Sequence, residues 1–374
     1  MVSLVQDFNR AVSSRDNADT PDQVSPTGAN LVFLLSTPRS GSTLLGAMLA
    51  NHSALYCPNE PWLLLNLYGL FDGKPHAMGS PNENLATVAL RELVSEKQFS
   101  HAARAFALSV YNQKLHQQRK RIFIDKTPRY YQVLSFLDQL FPDARKIWLQ
   151  RNPLDVAASY AATWQVPVAE LVGDSLSPNS LDLTIGLRNY ARYFRSHKNT
   201  FEIRYEDIVT SAPEALQRLC AFLGVPYEPG LEDYDRGDPA FSAMKDQLMG
   251  DKNIFSHTRP HAQSIDKWKQ HFSTEDLQRL VNIIGERILK DMGYHDTVSA
   301  LKARGCRFPG DFEVDDALFA LEQKARAMPA ESGAMYHLLM RTKTDVDKDT
   351  KEFEQLRRHW LVRVGRALRI VDIK

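Results

Sequence analysis

The stretch Leu31-Val-Phe-Leu-Leu-Ser-Thr-Pro-Arg-Ser-Gly-Ser-Thr-Leu-Leu45 constrains the fold of this chain more than any other. A run of apolar residues passes directly into a turn of Pro38, Arg39, Ser40, Gly41, Ser42 and Thr43, and a helical pattern opens after it. The order is that of a buried strand, an anion-cradling loop and a helix N-terminus. Such a loop aims backbone N–H groups, hydroxyls and a fixed cation at one phosphate. It is not a Walker A loop. That loop needs a first glycine and a Gly-Lys-Ser/Thr ending, whereas here Ser42 follows Gly41 and the cation is Arg39. The later strand Lys146–Gln150 ends on Arg151, where a magnesium-dependent site would place an acid. An ordinary strand-turn-helix with one capping serine is the plainer alternative; it accounts for Ser40 or Ser42 but not for Arg39 and Thr43 as well.

A second strand, turn and helix follows in Lys146-Ile-Trp-Leu-Gln-Arg151-Asn-Pro-Leu-Asp155-Val-Ala-Ala-Ser159. Pro153 suits a first helical turn, where its missing N–H is not needed, and Asp155 complements the helix dipole there. Ser159 falls about two turns into that helix and can turn back toward Arg151. The two are expected to form a second anion site, separate from the first; a surface arginine and an unrelated helix serine are the alternative.

In this order the two motifs resemble those of the sulfotransferases that use 3′-phosphoadenosine 5′-phosphosulfate (PAPS). Thr37-Pro-Arg-Ser-Gly-Ser-Thr43 is similar to their 5′-phosphosulfate loop, which implies Thr37, Pro38, Arg39, Ser40, Gly41, Ser42 and Thr43 as donor ligands. Arg151 to Ser159 is similar to their 3′-phosphate motif. Phe201-Glu-Ile-Arg-Tyr205 resembles a strand whose tyrosine contacts adenine, and Trp268-Lys-Gln-His-Phe resembles a segment near the cofactor. Ser256, Lys267 and Trp268 are placed with it. The Arg-Lys-Gly loop usual in cytosolic members is absent, and His257, Arg259 and Lys267 are the candidates to replace it.

The resemblance spans roughly Asn30 to His295. It implies an α/β fold of three layers with a mostly parallel sheet, a P-loop-like phosphosulfate site and flanking helices. The strands are expected near Leu31–Leu35, Ile122–Asp125, Lys146–Gln150 and Phe201–Tyr205. Ala212 to Gly224 reads as an amphipathic helix with a glycine stop. The expected organisation is a flexible lead-in over 1–29, the sulfotransferase domain over 30–295 and a helical extension over 296–374.

Sulfuryl transfer needs a base for the acceptor hydroxyl and cations for the developing charge. The histidine base of cytosolic members, in a Lys-Thr-His stretch, is replaced by Pro128 in Asp125-Lys126-Thr127-Pro128. Asn51 to Glu60-Pro-Trp62 resembles the glutamate arrangement of tyrosyl-protein and several bacterial members, so Glu60 is the candidate base. Burial by Pro58, Pro61 and Trp62 would raise its pKa; a solvated loop carboxylate is the alternative. Lys126 is expected to contact the transferring group and Arg39 the bridging phosphate region. His257 is expected to donate to the sulfuryl oxygens or to stand in for Glu60.

The implied reaction is transfer from PAPS to a hydroxyl without a metal, leaving 3′,5′-bisphosphoadenosine. The opening segment and Pro-x-Glu also resemble sulfotransferase domains of polyketide and olefin-forming synthases. A β-hydroxyacyl chain on an acyl carrier protein is therefore a candidate acceptor, with the apolar stretch Trp62–Phe71 as its wall. A tyrosyl peptide, a sugar and a lipid are the other acceptor classes. A P-loop kinase using ATP–magnesium and a binding module without catalysis are the other functional classes.

Composition sets outer bounds. The 374 residues are 43% hydrophobic, enough for a full core, and the net charge of +1 points to no nucleic-acid surface. Cys57, Cys220 and Cys306 have no disulfide or metal spacing, which suits a reducing cytoplasm. No apolar run approaches the ~20 residues of a membrane span. Residues 71–84 and 163–181 read as loops that could cover the site. Leu356, Trp360, Leu361, Val364 and Leu368 form a helical stripe, packed on the main domain or on a second copy of the chain in a homodimer.

Overall fold

The structure, a computed structural model, describes residues 23–72, 89–173, 178–234, 254, 257–311 and 314. Its centre is a five-stranded sheet in which every pairing is parallel. The strands are β1 (Leu31–Leu35), β2 (Leu55–Tyr56), β3 (Ile122–Lys126), β4 (Arg145–Gln150) and β5 (Thr200–Arg204), in the order β2-β3-β1-β4-β5. Every residue of β1 is buried, as a parallel strand covered on both faces requires. Leu31, Phe33 and Leu35 enter one core and Val32 and Leu34 the other. That alternation makes the three layers.

Helices α1 (Ser42–Ala50), α2 (Leu63–Asp72), α3 (Glu96–Gln118), α4 (Leu134–Leu140), α5 (Pro153–Trp164), α6 (Leu187–Ser196), α7 (Tyr205–Thr210) and α8 (Ala212–Leu223) connect and flank the strands. They are followed by α9 (Thr274–Ile284), α10 (Glu286–Asp291) and α11 (His295–Ala303). The apolar faces of α1 and α8 fill one core, and those of α3, α4, α5, α6 and α9 the other. From β1 the chain first builds one side of the sheet and then crosses to β4 on the other. The C-terminal ends of β1 and β4 are therefore a topological switch point, where open α/β sheets form their ligand crevices.

The helix boundaries follow from caps. Asn152 Oδ1 accepts from the Leu154 N–H and Pro153 opens α5. Gly224 ends α8 in the left-handed region. A reciprocal Ser95–Gln98 box starts α3 at Glu96. Tyr205 starts α7 instead of ending β5.

Other expectations change with packing. The 163–181 insert is largely helical where it is described, with short turns at Val168–Leu171 and Pro178–Leu181. The stretch Trp62–Phe71 is mostly α2, whose Leu63, Leu64, Leu65, Leu67 and Tyr68 are spent on the core. Of this stretch, Trp62 lines the cavity described below. Helix α11 crosses the expected boundary at 295/296, burying Val298 and Leu301, and Asn152 Nδ2 donates to Thr297 Oγ1 at 2.8 Å. Residues 1–22 of the lead-in, the loop over 73–84, Ser256 and the stripe from Leu356 to Leu368 lie outside the described residues. No helix among the described residues is long and apolar enough to cross a membrane.

One polar knot fixes the end of β3 against the helices. The π-helical turn Asp182–Gly186 buries Asp182 completely. Its carboxylate accepts from Tyr131 and Tyr160 hydroxyls, each at 2.8 Å, and from Arg129 Nε and Nη2 at 3.0 and 2.9 Å. Replacing Asp182 by Ala strands a buried guanidinium and two phenols, and we expect a loss of about 3–5 kcal/mol. Chemical denaturation should read it as a lower midpoint with an unchanged slope.

Candidate active site

The loops after β1 and β4 meet at the switch point and are joined by hydrogen bonds. Arg151 Nη1 donates to the Arg39 carbonyl at 2.7 Å, and Arg39 Nε donates to Ser159 Oγ at 3.0 Å. Arg39 Nη2 reaches Thr163 Oγ1 at 3.3 Å, and its guanidinium lies 5.5 Å from the Trp164 ring centroid. Ser159 thus turns toward the arginine of the first motif, not toward Arg151. The expected two separate anion sites are two ends of one cavity of about 630 Å³, whose wall includes both arginines.

The first loop is built around two left-handed residues, Arg39 at φ 65° and Gly41 at φ 94°. Thr37 Oγ1 and Ser40 Oγ are 2.9 Å apart and buried, so they stiffen the turn behind the cavity instead of lining it. Pro38, Arg39, Gly41, Ser42 and Thr43 do line it. The N-terminus of α1 opens there with no side-chain cap and no acidic residue in its first turn, the arrangement an anion can complete.

The second motif is held from behind. Arg151 is 7% exposed, its Nη2 donates to the Ser264 carbonyl at 2.8 Å, and its guanidinium lies 4.4 Å from the Tyr205 ring centroid. Its buried Nε has no hydrogen-bond partner among the described residues. The Tyr205 ring lines the cavity between that guanidinium and the Gly41 backbone, which a Cβ would bring into collision with it. Asp155 does more than offset a dipole: its carboxylate accepts from the Asp266 and Trp268 N–H groups at 2.8 and 3.1 Å. Burial pushes the Asp155 carboxyl up, against the pull of those donors and of Arg151. The 266–268 segment is thereby docked on the first turn of α5. Lys267 faces the cavity, whereas the Trp268 side chain is 1% exposed in the core and absent from the cavity wall.

The remaining wall comes from the Glu60 segment and the end of β3. Glu60 lines the cavity with a side chain 10% exposed. Trp62 Nε1 donates to its Oε2 at 3.2 Å, and Lys126 Nζ lies 3.5 Å from its Oε1. Glu60 is therefore not a solvated loop carboxylate. Lys126 is itself buried, donates to Asn59 Oδ1 at 2.8 Å and is not part of the wall. Its reach to the site runs through Glu60. Burial pulls the Lys126 pKa down, with Glu60 and Cys57 pushing it back. Asp125 accepts from Tyr111, Thr127 and Tyr130 hydroxyls, and Thr127 Oγ1 accepts from the Trp62 N–H at 3.2 Å, which sets the Glu60 loop on the sheet.

His257 also lines the cavity, while Arg259 is turned away and pairs with Asp233. Among the wall residues not expected from the sequence are Arg129 and His261. Arg129, left-handed at φ 72°, has a strand-end position that could have marked it. Burial works against its charge and Asp182 more than restores it, so its pKa is raised. His261 sits in an irregular segment where spacing says nothing.

Comparison with known proteins assigns the chain to a family. Residues 32–229 match the model described as "Sulfotransferase family". Nodulation protein NoeE of Sinorhizobium fredii is 33% identical over 294 residues, covering 74% of this chain and 68% of that protein. Protein-tyrosine sulfotransferase 1 of Danio rerio is 23% identical over 304 residues, covering 78% of this chain and 79% of its own. Among solved structures, the sulfotransferase domain from the curacin biosynthetic pathway is 26% identical and covers 67% of this chain and 95% of its own, with a TM-score of 0.47.

The contact of Gly41 with Tyr205 gives a direct test. In Gly41→Ala the new methyl displaces the ring that backs Arg151, at a φ that disfavours alanine. The expected cost is more than about 1 kcal/mol, read as a lower melting temperature together with weakened binding of a bisphosphorylated adenosine.

Proposed function

The chain belongs to the sulfotransferase family, and from that premise we propose that it moves the sulfuryl group of PAPS to an acceptor hydroxyl with Glu60 as general base. The observation that carries this reading is the single cavity shared by Arg39, Arg151 and Glu60. When bound, PAPS supplies the activated sulfuryl group; the work of the protein is to hold it and to move a proton.

The fit of the donor rests on the α1 N-terminus, which has no side-chain cap, and on the Nε of Arg151. The α1 N-terminus with Ser42 and Thr43 suits the 5′ end, and Arg39 lies beside it. The orphaned Nε of Arg151 marks the other end. Tyr205, packed flat under Arg151, offers a side for the base. A hydroxyl entering against Glu60 gives up its proton to a carboxylate already held by Trp62 and Lys126, so little reorganisation is needed at the moment of reaction. Lys126 compensates the charge on Glu60 and fixes its orientation. The acceptor within this proposal is a hydroxyl compound. A carrier-tethered β-hydroxyacyl chain, a tyrosyl peptide, a sugar and a lipid are the classes that a screen with labelled donor separates.

Glu60→Gln keeps the shape and removes the base. Turnover should fall about a hundred- to ten-thousandfold, while calorimetry shows 3′,5′-bisphosphoadenosine bound as before. A loss below tenfold would remove Glu60 from the role. Thermal shift with bisphosphoadenosine and with ATP–magnesium tests the donor: stabilisation by the second alone would make the protein a kinase.

A further inference from the structure

The segment His261–Lys267 is hydrogen-bonded to the second motif. Arg151 holds the Ser264 carbonyl, and Asp155 holds the Asp266 and Trp268 N–H groups. The part of this segment that faces the cavity is therefore held close to Arg151. It includes His261, Ser264 and Lys267. His261 Nδ1 is buried without a hydrogen-bond partner among the described residues, like the Nε of Arg151. A buried polar atom without a partner is costly, and two of them on adjoining supports point to a shared anion.

The charges around His261 say the same. The His257 ring lies with its centroid 4.0 Å away, and Lys267 is near enough to disfavour a further positive charge. The carboxylates on the neighbouring elements are committed elsewhere. Asp155 accepts its two backbone N–H groups, Asp266 pairs with Lys269 at 2.6 Å, Asp233 pairs with Arg259, and Glu60 pairs with Lys126. Tyr205 and Tyr234 complete the wall without charge. Burial, His257 and Lys267 together push the His261 pKa below the ordinary imidazole value.

We propose that His261 is a ligand for the 3′-phosphate of the donor, acting with Lys267 in place of the missing Arg-Lys-Gly loop, and that it takes up one proton from solvent as that phosphate binds. The proposal rests on PAPS as donor. The free imidazole is neutral near pH 7. A phosphate dianion beside it favours the imidazolium, and the proton moves from buffer to ring with no other bond made or broken. Donor affinity then rises as pH falls through the interval between the free and bound pKa values, by up to about tenfold per pH unit. The rise ends where the phosphate itself gains a proton, near about pH 6.

Calorimetry of 3′,5′-bisphosphoadenosine at pH 7 in buffers of different ionisation enthalpy reads the proton directly. Uptake of about half to one proton is expected for the unmodified protein. His261→Gln should lose roughly ten- to a hundredfold in affinity, the range of a hydrogen bond to a charged group, together with the uptake. It should change adenosine 5′-monophosphate binding less than about twofold. His261→Lys, a permanent cation, should keep the affinity but not the proton uptake, which separates the role from a folding defect. No uptake by the unmodified protein, or equal losses for both nucleotides in His261→Gln, overturns the proposal. Absence of bisphosphoadenosine binding by the unmodified protein instead overturns the donor reading, and this inference with it.

Discussion

A hydrogen bond from Arg151 to the backbone carbonyl of Arg39, at 2.7 Å, ties the loop after β1 to the loop after β4. The cavity depends on it. Without that link the two strand-end motifs would be independent turns on either side of the switch point. With it, the first turn of α1 and residues Asp155 and Ser159 of α5 line one space. The link requires burying a guanidinium, which is tolerable only because every side of Arg151 is occupied. One terminal nitrogen meets the Arg39 carbonyl, the other the Ser264 carbonyl, and the Tyr205 ring covers a face. Only Nε is left without a partner, and it is the part of the group that a ligand would complete.

Three buried carboxylates position everything else. Asp125 gathers Tyr111, Thr127 and Tyr130 and through Thr127 sets Trp62 beside Glu60. Asp155 docks the segment that carries Lys267. Asp182 orients Arg129 in the wall. Each places a cavity residue by holding its backbone or its partner, so the site inherits the rigidity of the sheet and of helices α3 and α5.

The fold was legible in the strands because β1, β3 and β4 are short apolar runs that end in turn chemistry, and burial on both faces leaves no other reading. Arg39, Arg151 and Glu60 were legible because each occupies a strand end or a proline-bounded turn with a recognisable neighbourhood. Orientation was not. Ser159 lies where α5 can face either motif, and only the packed geometry turns it to Arg39. Trp268 carries a strong local pattern, yet its size and apolarity send it into the core while its backbone serves the site. Lys126 is expected from the sequence at the transferring group, but β3 lies between β2 and β1 and buries it, so its charge reaches the cavity through Glu60. His261 depends on irregular backbone, where spacing carries no information, whereas Arg129 stands just past the end of β3 and could have been marked by that position.

The cavity divides by how its charges are balanced. At the end formed by Glu60 and Arg129, each charge has an opposite partner within the fold: Glu60 with Lys126, Arg129 with Asp182. At the end formed by Arg151, Lys267 and the two histidines, the neighbouring carboxylates are committed to backbone N–H groups or to other cations. Under the proposed transfer this asymmetry sorts the two substrates without any further discrimination. A multiply anionic nucleotide gains most where positive charge is uncompensated. A neutral hydroxyl loses least where the charges already answer one another and one carboxylate can accept its proton. Because the Coulomb term falls with distance and rises as water is excluded, a reversed placement would cost the 3′-phosphate its cation-rich seat. Under the proposed transfer the direction of binding follows from how the acids around the cavity are paired, one of them, Asp155, within the second motif.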